Sequence, residues 1–142
     1  MSGATPPMIG WLQRAVLHEF AAARQFTLQA VVANRLGDKA IATECDKSAA
    51  EELQHAQMFA GLLAEFGAPF GNGAPEILPV GNSVLQVLQH GQTTEASAVR
   101  LYADAARACG AAPRVRALFE EIGADEAEHF KHLAELIRSR KH

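Results

Sequence analysis

A chain of 142 residues is long enough for one substantial core and too short for two, so a single domain spanning 1–142 is expected. Its 13 basic and 16 acidic side chains give a formal charge of −3, with no Lys/Arg block at either end, which argues against nucleic acid as a main partner. Met1 to Pro7 lack the basic region and apolar run of a signal peptide, and no apolar stretch can span a bilayer, so a cytoplasmic place without membrane contact is the default.

Gly and Pro punctuation divides the chain into four amphipathic segments, an all-α pattern that predicts a four-helix bundle with helices near 6–36, 39–66, 83–109 and 113–139. The first opens at Thr5, a capping residue followed by Pro6 and Pro7, and stops at Gly37; its seam is Ile9, Leu12, Val16, Glu19, Ala23, Phe26 and Ala30. Asp38 caps the second, whose seam reads Ile41, Cys45, Ser48, Glu52, His55, Phe59, Leu62 and Phe66 before Gly67. Residues 67–81 carry Pro69, Gly71, Gly73, Pro75 and Pro79, and a link of that length suits a long crossover between helices 2 and 3. The third helix begins near Asn82 or Ser83, with Val84, Leu88, Gly91, Glu95, Ala98, Tyr102 and Ala105 on its seam. Gly110 and Pro113 precede the fourth, where Val115, Phe119, Ile122, Glu126, His129, Leu133 and Leu136 line up ahead of a basic tail, Arg138 to Lys141. Phe20, Phe59, Phe66, Phe119 and Phe130 are read as core, Trp11 as packing, and Cys45 and Cys109 as reduced thiols in or near the core.

Two four-residue clips dominate the chemistry: Glu52-Leu53-Gln54-His55 and Glu126-Ala127-Glu128-His129. A Glu and a His three apart on a helix share one face, about 4.5 Å apart along the axis, and can reach one point beside it. One such clip is common by chance. Two of them, with a lone Glu19 and a lone Glu95 on the other two seams, form a carboxylate and histidine set that a bundle can use to hold two metal ions. All six residues fall in the middle third of their helices, so they should meet in one layer, and the repeated order predicts a pseudo-two-fold axis through it.

Four carboxylates facing an apolar core must be protonated or meet cations, since desolvation costs several kcal/mol per buried charge. Two divalent ions balance the four negative charges, and hard oxygen ligands with one nitrogen per metal suit iron or manganese. Position makes Glu52 and Glu126 bridging carboxylates, Glu19 and Glu95 terminal ligands, and His55 and His129 one ligand each. Glu51 and Asp125, each just before a ligand Glu, are expected to take the second N–H of the opposite clip's histidine. His18, His90, His132 and His142 have no such company and are read as surface or second-layer residues.

With these residues in place the chain resembles the ferritin-like superfamily and, within it, bacterioferritin, from about Ile9 to Leu136. The order Glu19, Glu52 with His55, Glu95, Glu126 with His129 follows that family, as does the linker Ala74-Pro75-Glu76-Ile77-Leu78-Pro79-Val80-Gly81. The resemblance implies a ferroxidase that binds two Fe(II) per chain and oxidises them with O₂ or H₂O₂, linked to iron storage or detoxification in a homo-oligomer. Three departures shape that expectation. Leu53 stands where the family's haem-ligating Met lies, so haem is not expected; Phe26 stands where the family has a redox-active Tyr; and the chain stops near the end of the fourth helix, before the family's fifth. A dimer at least is therefore expected, with a larger shell as the alternative. The competing functions are a di-iron or di-manganese oxidoreductase of peroxidase, catalase or hydroxylase type, and a metal-free helical oligomer whose carboxylates pair only with histidine.

Overall fold

A computed structural model describes residues 4–140; Lys141 of the basic tail and His142 lie outside the described residues. Four α-helices follow in order: α1 (Pro6–Arg35), α2 (Lys39–Glu65), α3 (Val84–Ala108) and α4 (Pro113–Arg140), and no strand forms among the described residues. The protein is an all-α four-helix bundle. Side-chain oxygens cap three of the helices: Thr5, Asp38 and Ser83 accept from the backbone N–H groups of Met8, Ile41 and Gln86. Gly37 and Gly67 follow α1 and α2 at φ +83° and +66°, the left-handed conformation that closes a helix without a Cβ clash. No helix among the described residues is long and apolar enough to cross a membrane.

Helix α1 packs along α2 and α3 along α4, and the two hairpins meet mainly through α1 and α3. The crossover between the hairpins is tied to α1. Gln13 donates to the carbonyl of Pro69, Gln25 to that of Pro79, and Gln29 to those of Val80 and Val87, at 2.8 to 3.0 Å. The carbonyls of Pro69, Pro79 and Val80 belong to an irregular segment that cannot pair them internally, and the glutamines lay it along the bundle, Gln29 also reaching the first turn of α3 at Val87.

The core has two large apolar blocks and a small third cluster of Ala22, Phe26 and Ala49. Leu12, Val16, Phe59, Leu63, Tyr102, Phe119 and Ile122 belong to one large block, and Ala30, Ala33, Ile41, Cys45, Val87, Leu88 and Ile137 to the other. Cys45 and Cys109 are buried and not joined to each other. Two expected core residues lie elsewhere: Phe20 is 44% and Phe130 36% exposed. Each follows a seam residue, Glu19 or His129, and one step along a helix turns the side chain about 100° away from the core. Phe59 and Phe119 are buried and Phe66 is half-buried against the first block. Trp11 also packs there, with the Arg14 guanidinium 4.4 Å from its ring centre.

Candidate metal centre

Between the two apolar blocks lies a polar layer. Glu19, Glu52, Glu95 and Glu126, one from each helix, are all 0% exposed, and His55 is 5% exposed. Each sits on the inward stripe of a helix whose neighbouring turns are apolar, so packing of those turns drives the carboxylates inside. The six residues singled out by the clips come together as two overlapping groups: Glu19, Glu52, His55 and Glu126, and Glu52, Glu95, Glu126 and His129. Within each group, one ligand atom per residue lies within 4.8 Å of the others. Glu52 and Glu126 are common to both.

The histidines present Nδ1 to this layer. Nδ1 of His55 lies 2.9 Å from Glu19, 3.3 Å from Glu52 and 3.4 Å from Glu126. Nδ1 of His129 lies 3.3 Å from Glu126 and 3.5 Å from Glu95. Their Nε2 atoms face outward to acids from the opposite clip: Asp125 at 3.2 Å from His55 and Glu51 at 2.5 Å from His129. The rings are nearly parallel, with centroids 6.3 Å apart. A carboxylate on the outer nitrogen fixes the ring and leaves the inner nitrogen to coordinate.

Both oxygens of Glu52, Glu95 and Glu126, and Nδ1 of His129, are buried without a hydrogen-bond partner. Such groups are costly, and a cation among them is what the donor set fits: hard carboxylate oxygens with one imidazole nitrogen per group. Burial pushes the carboxyl of Glu19 up to about 7 and that of Glu95 up to about 8, and holds Glu52 well above the usual carboxylate range. Burial also acts on Glu126, but the imidazoles of His129 and His55 facing it outweigh that and bring the carboxyl down to about 2. Burial opposes charge on the imidazoles too, yet the facing carboxylates prevail, raising His129 to about 10 and His55 higher still.

The family model described as Ferritin, a ferritin-like domain, matches residues 9–141, nearly the whole chain. The chain belongs to the ferritin-like family. None of the curated proteins compared with it matches.

Two features of this ferritin-like bundle were not expected. Tyr102, read only as a seam residue, donates its hydroxyl to Oε2 of Glu19 at 2.6 Å, and half-buried His18 stands edge-on to its ring. Burial lowers the pKa of that histidine. A signal for Tyr102 was present: it stands seven residues after Glu95, as Phe26 stands seven after Glu19. The second feature is a cavity of about 380 Å³ that reaches His129, walled by α2 and α4 with Phe26, Leu88 and Leu133 as its apolar lining. Glu44 and His132, 3.0 Å apart, also line it.

Proposed function

We propose that this ferritin-like protein is a ferroxidase: it binds two Fe(II) ions in the central layer as substrate and oxidises them with O₂ or H₂O₂, in support of iron storage or detoxification in the cytoplasm. The observation that carries the reading is the set of buried, unpartnered carboxylate oxygens shared between two histidine-containing groups. In this reading Glu52 and Glu126 bridge, Glu19 and Glu95 bind one ion each, and His55 and His129 complete the sets. Ferrous ions held there supply one electron each to the oxidant. The chain's own part is positional and protonic. Asp125 and Glu51 hold the outer Nε2 atoms of the two histidines, keeping Nδ1 directed inward. The protons held by the raised carboxyls and imidazoles leave as cations enter, so incoming positive charge is exchanged for outgoing positive charge. The working form is a homo-oligomer, a dimer or a larger assembly.

A second reading, a di-iron or di-manganese oxidoreductase acting on peroxide or an organic substrate, draws on the apolar-lined cavity against His129. Anaerobic Fe(II) titration followed by oxygen exposure tests both. The first reading expects two irons per chain, rapid oxidation, and further iron taken up after it. Two metals without further loading would favour the second. Glu52→Ala and Glu126→Ala should each abolish stoichiometric binding of the pair while leaving the helical content intact; a variant that still holds two metals refutes the shared-carboxylate arrangement.

A further inference from the structure

The cavity of about 380 Å³ is lined from all four helices, among them Phe26 and Gln29 of α1, Cys45 of α2, Leu88 of α3 and Leu133 of α4. Its inner wall is largely apolar, and its size is that of a small-molecule site. Gln29 is the exception on that wall. It is 0% exposed, and its Nε2 donates to two carbonyls, those of Val80 and Val87, each at 3.0 Å. Both amide hydrogens are thereby committed, which fixes which way the amide points. The remaining atom, Oε1, is buried without a hydrogen-bond partner.

Gly91 locates that oxygen. A Cβ on this residue would lie 3.1 Å from the Phe26 ring, 3.5 Å from Leu133 and 3.7 Å from Oε1 of Gln29, and all three side chains line the cavity. The glycine therefore keeps a slot open in which an acceptor oxygen stands beside an aromatic ring and an aliphatic side chain. A water molecule in such a slot has few partners, whereas buried waters make about three hydrogen bonds. An organic molecule with one hydroxyl satisfies the oxygen and the apolar wall together.

The lining selects among such molecules. Oε1 can only accept, so an ether, a ketone or a carboxylate leaves it unpaired. Towards solvent the lining carries Glu44, Glu51 and Glu128 against Lys47 and His132, and His132 already pairs with Glu44 at 3.0 Å. That acidic excess disfavours anions, and a cation would lose its hydration against the apolar wall. We propose that this cavity is a binding site for a small uncharged phenol, its ring against Phe26 and Leu133 and its hydroxyl donating to Oε1 of Gln29. Binding there requires no ion in the central layer, so the site stands or falls separately from the ferroxidase reading.

Calorimetry on the full chain, with 4-methylphenol as the probe, tests the assignment. The phenol should bind saturably, one molecule per chain. Its methyl ether, 4-methylanisole, is more apolar but cannot donate, and it should bind at least about five-fold more weakly, the size of one neutral hydrogen bond. 4-Methylbenzoate should not bind. Crystals soaked with the phenol should show its oxygen within about 3 Å of Oε1 of Gln29. Ser48 lines the cavity and is half-buried, so Ser48→Trp should fill the space and abolish binding with the melting profile unchanged. Gly91→Ala should displace the hydroxyl from Oε1 and weaken binding at least about five-fold. Saturable binding lost in Ser48→Trp supports the site even where Gly91→Ala fails to fold. An ether that binds as well as the phenol, a Ser48→Trp variant that binds like the wild type, a ring found elsewhere, or binding at crystal concentration only would overturn the proposal.

Discussion

Each of the six central residues was legible because its helix declares its own register: the apolar neighbours of Glu19, Glu52, Glu95 and Glu126 leave those side chains no direction but inward. The aromatic partners were not legible in the same way. A tyrosine on a seam looks like packing, and only the fold shows that its hydroxyl ends on Glu19, 83 residues away. The protonation of this layer has a measurable consequence. Free of ions, Glu19, Glu95 and His129 hold their protons at about 7, 8 and 10, against ordinary values of 4.5, 4.5 and 6.5. The folded state therefore binds these protons more tightly than the unfolded chain. Their stabilisation is complete below the ordinary values and is lost as the pH rises through the raised ones, at most about 1.4 kcal/mol per pH unit for each proton. Glu126 works in the opposite direction, losing its contribution as the pH falls toward about 2. With a chelator present, the melting temperature should fall between about pH 5 and 9. With saturating Mn(II) the fall should be reduced or reversed, because the ions bind the deprotonated ligands. A chelated protein whose melting temperature rises over that range would contradict these protonation states.

At the scale of elements, Thr5, Asp38 and Ser83, with Gly37 and Gly67, mark the helix ends in the sequence because capping is local chemistry. The course of the crossover was less legible. Its anchors, Gln13, Gln25 and Gln29, lie 51 to 56 residues from the loop carbonyls they meet, and a glutamine in a helix gives no sign of such a distant partner. Two substitutions test how much those anchors matter. Gln29→Leu removes both amide donations and leaves the Val80 carbonyl without its partner, a loss of about 1–3 kcal/mol in urea unfolding. Gly81→Ala should cost about 1–3 kcal/mol as well, since Gly81 has φ +98° and an added Cβ would lie 3.0 Å from the backbone nitrogen of Val87. If neither substitution moves the urea midpoint, the crossover is not held as described.

For the whole molecule, the outer face of the first hairpin is the feature to follow. Phe20, Leu28 and Val31 lie on one exposed stripe of α1, with Leu53 and Met58 exposed on α2. Apolar side chains grouped on an otherwise polar surface mark a contact face, and in the homo-oligomer proposed above these residues would be covered. Phe20→Glu combined with Val31→Glu should give a smaller particle by light scattering, with the circular dichroism of the monomer fold unchanged; an unaltered mass would place the subunit contact elsewhere. The same division into hairpins has another consequence. Residues 67–83 are the sole covalent tie between two pieces that each bring one clip and one lone glutamate. A protease cut among the glycines near position 72 would turn an intramolecular fold into an association of two fragments, and dications would then govern whether the fragments stay together.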